Sequence, residues 1–315
     1  MIDQQGRNIT YLRISVTDKC NLRCTYCMPE EGVSPLCHGD IMSVEETIDA
    51  AKAAAALGIS KIRITGGEPL VRKGIIELCG GIAQIPGIEE ICITTNGTLL
   101  PAYAKALRAA GVDRLNISLD TLDPVKYEKI TRIGNLKQAL DGIRAAKEAG
   151  FTDLKINVVL MAGFNDNEIP EFVALTKDEN LDVRFIELMP IGSGAQMDAY
   201  VSCDRVLDAV PSLVPLHKAD GVAELYRLPD GLGRIGLIRA ISCKFCRQCN
   251  KIRLTADGHL KPCLHSDIEL SIKGLTQDQI RETIADAIRL KPEDSGNLDR
   301  QHPSCAGRSM HQIGG

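Results

Sequence analysis

The pattern that most restricts the fold is an alternation of short apolar runs with amphipathic helical stretches between Tyr11 and Met189. The runs are rich in β-branched residues, and polar or glycine residues follow each of them, as is typical of buried parallel strands. Such strand–helix units predict a parallel β/α architecture. The predicted strands are Leu12–Val16, Lys61–Thr65, Glu90–Thr94, Arg114–Leu119, Leu154–Val159 and Val183–Leu188.

The intervening helices have recognisable ends. Ser43 and Glu46 have the spacing of a capping box, and Gly58 is expected to end the alanine-rich helix that they begin. The strand count does not separate a doubly wound sheet from a barrel. A cysteine-rich loop directly after the first strand, with polar residues after every later strand, favours a barrel whose site lies at the carboxyl ends of its strands.

The pattern changes near residue 210, so we predict two regions, 1–210 and 211–315. In the second region, proline and glycine interrupt short alternating runs over 216–236, cysteines cluster, and Gln277–Leu290 has a helical pattern. The last dozen residues are predicted to be irregular. No repeat or long linker is present, so the second region is expected to pack directly on the first.

The composition excludes several classes of function. A net charge of −4 and a pI near 5.9 argue against a nucleic-acid or membrane-surface partner. The amino-terminal residues have no apolar targeting region, and no apolar run is long enough to cross a bilayer. We therefore expect a cytoplasmic protein. In that compartment, 12 cysteines in 315 residues indicate metal or redox chemistry rather than disulfides, although Cys79 and Cys92 lie among core residues.

The first candidate site is the group Cys20, Cys24 and Cys27. The spacing Cys-x3-Cys-x2-Cys puts three thiolates on one short loop. A fully ligated iron–sulfur cluster usually takes four cysteines, so three leave one iron open to a substrate or cofactor.

This loop resembles the cluster motif of the radical S-adenosylmethionine (SAM) enzymes. The segment Thr65-Gly-Gly-Glu-Pro69 follows the second strand, and its paired glycines allow a ligand to approach the backbone closely. The resemblance implies an incomplete six-strand barrel, with a carboxyl-terminal cysteine-rich extension covering its mouth. It also implies a [4Fe–4S] cluster on the three cysteines and contacts to SAM from Tyr26, Gly67, Glu68, Ser118 and Met189.

A second group consists of Cys246, Cys249 and Cys263, with Cys243 close by. By spacing alone, the main alternative to a cluster is a structural zinc site, because four thiolates satisfy tetrahedral zinc. The sequence Phe245-Cys-Arg-Gln-Cys-Asn-Lys-Ile-Arg-Leu-Thr-Ala-Asp-Gly258 shifts that balance. It resembles the second cluster motif of the GTP 3′,8-cyclase family, in which three cysteines leave the fourth iron for the substrate.

That resemblance covers almost the whole chain, including 11–18, Thr94-Thr-Asn-Gly97 and the final Gly314 and Gly315. Two features depart from the family pattern. Lys251 stands where arginine is common, which keeps the charge but loses the planar fork. Cys243 lies in a shortened segment and is an open candidate for a fourth ligand.

The resemblance implies a lyase that converts GTP to 3′,8-cyclo-7,8-dihydro-GTP, the first step of molybdenum cofactor biosynthesis. Cleavage of SAM at the first of two [4Fe–4S] clusters would give the radical that takes hydrogen from C3′ of the ribose, and the carbon radical would attack C8. The flexible tail with Gly314 and Gly315 is expected to reach the active site. Contacts to GTP are expected from Arg13, Arg63, Thr94, Lys155, Lys251 and Arg253.

The implied partners are GTP, an electron donor, a second copy in a homodimer and the next enzyme of the pathway. Two alternatives stay open at this point. One is a radical SAM enzyme that modifies peptides and carries an auxiliary cluster. The other is a non-catalytic, zinc-stabilised binding module, which would contain zinc without acid-labile sulfide.

Overall fold

The computed structural model describes residues 1–33, 36–37, 39–299 and 301–314. Within this part of the chain, one twelve-stranded sheet has the order β12-β11-β10-β1-β2-β3-β4-β5-β6-β9-β8-β7. The strands are β1 Tyr11–Ser15, β2 Lys61–Thr65, β3 Glu90–Thr95, β4 Arg114–Ser118, β5 Leu154–Leu160, β6 Leu181–Glu187, β7 Val214–Asp220, β8 Ala223–Arg227, β9 Arg234–Ile238, β10 Lys251–Leu254, β11 His259–Lys261 and β12 Leu270–Ser271.

The six predicted strands are confirmed as β1 to β6, which lie side by side in chain order and pair in parallel. Their ends differ slightly from the prediction; β6, for example, begins at Leu181 rather than Val183. Buried branched apolar residues stand at alternate positions of these strands, such as Ile62 and Ile64 in β2, which explains why the apolar pattern located them.

Strands from the carboxyl-terminal region extend both sides of this set. On one side β10 pairs in parallel with β1, and on the other β9 pairs in parallel with β6. The outermost strands are β12 and β7, and no ladder joins them in the described residues. The barrel is therefore incomplete, as predicted. The division at residue 210 and the covering of the barrel mouth stay predictions.

The helices pack against the outside of the sheet and begin at local signals. Ser43 Oγ accepts a hydrogen bond from the Glu46 amide at 3.1 Å, and the Glu46 side chain caps the Ser43 amide in return, which confirms the capping box. Cys79 and Cys92 are fully buried in the core, as predicted. The helices are α1 Val44–Ala56, α2 Ile75–Ala83, α3 Leu100–Ala109, α4 Pro124–Thr131, α5 Leu136–Glu148, α6 Ile169–Ala174, α7 Asp204–Ala209, α8 Gln277–Arg289 and α9 Met310–Ile313.

The prediction of an irregular carboxyl terminus is wrong for the short helix α9. Ser309 and Gln312 form a capping box at its start, and the side chain of Ile313 is buried. A helix of four residues has little stability of its own, and α9 is therefore stabilised by its packing against the rest of the chain. Among the described helices, none combines the length and apolar character needed to cross a membrane.

Candidate active site

One cavity of about 540 Å³ runs from the carboxyl ends of β1 to β6 into the interior of the barrel. Residues from the loop after β1, from the loop after β2 and from the carboxyl-terminal region form its wall together. Both predicted cysteine groups lie on this wall: Cys20, Cys24, Cys27, Cys246, Cys249 and Cys263. The fold thus brings together two motifs that lie far apart in the sequence.

The inward face of the sheet carries two rows of basic side chains. The ladders place Arg13 between Arg253 and Arg63, and they place Tyr11 between Lys251 and Lys61. Residues two apart on a strand point to the same face, so both rows face the cavity. Barrel interiors of this type are usually packed with branched apolar side chains. The cations on the strands that line this cavity are Arg13, Lys61, Arg63, Arg114, Arg184, Lys251 and Arg253.

The basic rows are electrostatically unfavourable on their own. Burial and then the charge of Arg253 lower the pKa of Arg13 to about 9. Burial also lowers the pKa of Lys251 to about 8; nearby Cys249 opposes that shift, while Arg13 and Arg253 add to it. Like charges held together in a confined space repel, and an anionic ligand would relieve the repulsion. The interior is therefore suited to a polyanion.

The first cysteine loop is fixed to the barrel by hydrogen bonds at both of its ends. The Arg132 guanidinium donates to the carbonyl oxygens of Arg23 and Met28, at 3.0 Å each, and so brackets the loop. Tyr26 Oη donates to Asp120 Oδ2 at 2.8 Å, which ties the loop to the end of β4. Burial raises the pKa of Asp120 to about 6.

The chemistry of the first cysteine group fits a cationic iron centre. All three thiols are free of disulfides. Burial raises the pKa of Cys20 to about 11 and that of Cys27 to about 12. The pKa of Cys24 is raised well above its ordinary value by burial and then by the charges of Cys27, Asp120 and Cys20. A bound metal removes these protons and balances the thiolate charge.

The described side chains do not form a mononuclear metal site. Over residues 1–33, 36–37, 39–299 and 301–314, no three His, Cys, Asp or Glu side chains gather as a single ion requires. Cys243 is exposed and does not line the cavity, unlike its three neighbours. These positions do not suit the four-cysteine zinc alternative. In an iron–sulfur cluster the cysteines bind separate irons, so their sulfurs need not meet at one point.

The glycine-rich loop after β2 packs directly against the backbone of the first cysteine loop. A Cβ added to Gly67 would lie 2.3 Å from the carbonyl oxygen of Lys19, so this approach requires glycine. Glu68 Oε1 accepts from Thr95 Oγ1 at 2.7 Å, and its Oε2 accepts from the Asn96 amide at 2.7 Å. Burial raises the pKa of Glu68 to about 7. The carboxyl group is thus held rigidly on the cavity wall.

Three further predicted SAM contacts, Tyr26, Ser118 and Met189, also line the cavity. The polar cavity residues that sequence reasoning missed include Asn116 and Asn157. Each has a buried side-chain oxygen that finds no hydrogen-bond partner in the described part of the chain. Buried acceptors are normally satisfied, so these oxygens indicate a ligand or ordered water. Asparagine at inward positions of predicted strands was the available signal.

The carboxyl-terminal tail enters the basic rows. The Gly314 carbonyl oxygen accepts hydrogen bonds from Arg253 at 2.6 Å and from Arg13 at 3.2 Å. Nearby, the Cys27 carbonyl oxygen accepts from His311 Nδ1 at 3.2 Å, so the tail also contacts the first cysteine loop. Gly315, the other tail residue that was predicted to reach the active site, lies outside the described residues.

The predicted GTP contacts divide into two sets. Arg13, Arg63, Lys251 and Arg253 line the cavity together with Thr94, whose hydroxyl accepts from Arg63 at 3.1 Å. The structure places Lys155 differently. It is buried off the cavity wall, and its ammonium group lies 3.0 Å from a carboxylate oxygen of Asp182 on the next strand.

Comparison with known proteins agrees with this architecture. Residues 14–176 match the model of the radical SAM superfamily, and residues 181–296 match that of Molybdenum Cofactor Synthesis C. Among solved structures, SuiB of Streptococcus suis has 16% identity and a TM-score of 0.60, over 90% of this chain and 66% of that one. The maturase HydG of Carboxydothermus hydrogenoformans has 19% identity and a TM-score of 0.52, over 65% of this chain and 50% of that one. Fold and site together define a radical SAM protein.

Curated relatives make the assignment narrower. A GTP 3′,8-cyclase of Peptoclostridium acidaminophilum is 51% identical over 100% of this chain and 98% of its own length. Another, from Alkaliphilus oremlandii, is 49% identical over the full length of both. The chain belongs to the GTP 3′,8-cyclase family of the radical SAM superfamily. Membership confirms the resemblance seen in the sequence and implies SAM and [4Fe–4S] clusters as its cofactors.

Proposed function

We propose that this cavity binds GTP and SAM together and converts GTP to 3′,8-cyclo-7,8-dihydro-GTP, the first step of molybdenum cofactor biosynthesis. The observation that carries the proposal is that two three-cysteine groups and two rows of cations face one cavity. Its volume of about 540 Å³ lies within the usual range for pockets that enclose small molecules.

Cys20, Cys24 and Cys27 would hold the first cluster, and the segment around Gly67 and Glu68 would hold the methionine end of SAM. When bound, these groups supply the radical that removes hydrogen from the ribose. Tyr26 fixes the cysteine loop through Asp120, which would hold a bound cofactor in a defined position. Ser118 and Met189 complete the proposed contacts to SAM.

Cys246, Cys249 and Cys263 would hold the second cluster and present its open iron to the purine. The cationic rows would bind the triphosphate, because arginine can hold phosphate oxygens with two hydrogen bonds at once. Arg13, Arg63 and Arg253 fit this role, with Lys251 as a point charge at the position where relatives commonly have arginine. Thr94 would keep Arg63 in place.

The tail and the carboxyl-terminal region would shield the reaction. The tail contacts the basic rows through Gly314 and the first cysteine loop through His311, so it would restrict the entry of water. We further propose that the protein is a cytoplasmic homodimer that receives its electron from a separate donor. Its product would pass to the next enzyme of the pathway.

The proposed triphosphate site can be tested by binding. Arg13→Gln and Arg253→Gln each remove charge-assisted hydrogen bonds worth about 1.5–3 kcal/mol, so each should weaken GTP binding roughly 10- to 150-fold. Binding of guanosine should change little. Calorimetry with the two ligands separates these effects, and Arg281→Gln, on the exposed face of α8, is the matched control. Equal GTP affinity in all variants would contradict the assignment.

A further inference from the structure

A buried ammonium group, that of Lys291, faces the second cysteine group. Lys291 follows the end of α8, is 3% exposed and lines the cavity. No carboxylate in the described residues forms an ion pair with it, whereas the equally buried Lys261 lies 3.0 Å from Glu269. An unpaired buried charge is costly, so Lys291 requires another source of negative charge.

The contacts of Lys291 join the two segments that carry the cysteines. Its Nζ donates to the carbonyl oxygen of Lys251 at 2.8 Å and to that of Pro262 at 2.9 Å. Lys251 lies two residues after Cys249, and Pro262 directly precedes Cys263. One side chain therefore sets the spacing between two of the three cysteines.

Thiolates of the second cysteine group would supply this negative charge, because the Lys291 ammonium group contacts the segments that carry Cys249 and Cys263. A cation at the end of a helix is often only a favourable partner of the helix dipole. Lys291 differs because its ammonium group reaches into the cavity wall rather than back to the carbonyl groups of α8.

Arg7 offers a contrast in the same place. Its guanidinium donates to the Cys246 carbonyl oxygen at 2.9 Å and to the Pro292 carbonyl oxygen at 2.7 Å. Its own charge is already balanced, because Nε lies 2.6 Å from Asp3 Oδ2. Arg7 therefore supports the third cysteine mechanically without adding net charge to the site.

We propose that Lys291 is the positioning residue of the second iron–sulfur centre: it fixes the Cys249 and Cys263 segments and supplies the positive charge that balances the cluster thiolates. This inference rests on the proposed assignment of the second cluster. Positive charge and hydrogen bonds near the sulfurs favour the reduced form of a cluster. Lys291 should therefore raise the reduction potential of the centre as well as its stability.

The test uses the full chain with Cys20, Cys24 and Cys27 replaced by serine, so that iron, sulfide and redox signals report the second centre alone. In this background Lys291→Gln keeps a donor for the carbonyl groups but loses the charge, and Lys291→Met loses both. Lys291→Arg restores the charge, and Lys261→Met is the matched control for loss of a buried lysine. Iron and sulfide content and the midpoint potential are measured for each chain.

We expect Lys291→Gln to retain most of its iron with a more negative midpoint potential, and Lys291→Met to lose iron as well. Lys291→Arg should recover the potential of the parent, and Lys261→Met should keep it. An unchanged potential in Lys291→Gln would overturn the charge role, and normal iron content in Lys291→Met would overturn the positioning role. A parent chain without iron and sulfide would instead refute the second cluster itself.

Discussion

Replacing Gly314 with alanine should release the tail from the active site. The backbone at this position has φ +71°, and an added Cβ would lie 2.0 Å from Thr65 Oγ1. Both the conformation and the space therefore require glycine. Alanine can stay docked only with strain, or it can move away and give up the hydrogen bonds to the Gly314 carbonyl.

The magnitude follows from these two routes. A left-handed conformation costs a non-glycine residue roughly 1–2 kcal/mol. Moving away instead loses hydrogen bonds from Arg253 and Arg13, each worth about 1.5–3 kcal/mol because the donors are charged. Even the smaller cost lowers the docked population of the tail by a factor of about 5–30.

Hydrogen exchange at the amides of residues 310–314 measures this population directly, because protection reports the free energy of local opening. GTP turnover should fall with protection, while SAM binding should be retained. Gly307→Ala is the matched control, since an added Cβ there meets nothing within 4 Å. Equal protection and turnover in Gly314→Ala and Gly307→Ala would refute the reasoning.

Three other predictions follow from the site. Cys243→Ala should keep the iron content and turnover of the parent, because Cys243 is exposed and off the cavity wall; lost iron at the second site would show that it is a ligand. The pKa of Glu68 is raised from 4.5 to about 7, so stability should fall by about 3 kcal/mol as pH rises between these values. Denaturant unfolding should show a smaller decline for Glu68→Gln, and an identical pH profile would exclude this origin. Tyr26→Phe leaves Asp120 Oδ2 without its donor, a loss of about 1–3 kcal/mol. The melting temperature and the rate of SAM cleavage should both fall, while GTP binding should be retained. A normal rate of SAM cleavage would show that this hydrogen bond does not position the loop.

Local signals in the sequence were sufficient to predict much of the fold. The strands β1 to β6 carry buried branched apolar residues at alternate positions, so each has a local pattern that needs no knowledge of its neighbours. The capping box of Ser43 and Glu46 involves residues close in sequence, and so does the spacing of Cys20, Cys24 and Cys27. Such features are visible before folding.

Features that depend on tertiary contacts were not predictable in the same way. Period-two alternation tells which face of β5 carries Lys155, but only the ladder shows that Asp182 lies beside it. Helix α9 has four residues and persists because Ile313 is buried, which no local propensity reveals. Lys291 meets the second cysteine group only after α8 has packed against the sheet, so no local sequence pattern links them.

The most direct measurement of the proposed function is anaerobic turnover with SAM, a reductant and GTP deuterated at ribose C3′. Mass spectrometry then follows deuterium in the 5′-deoxyadenosine that is released. The structure and family predict transfer of the label from GTP to 5′-deoxyadenosine. Release of only unlabelled 5′-deoxyadenosine would contradict abstraction from C3′ of GTP, and absence of 5′-deoxyadenosine from a chain that holds iron and sulfide would contradict the radical mechanism.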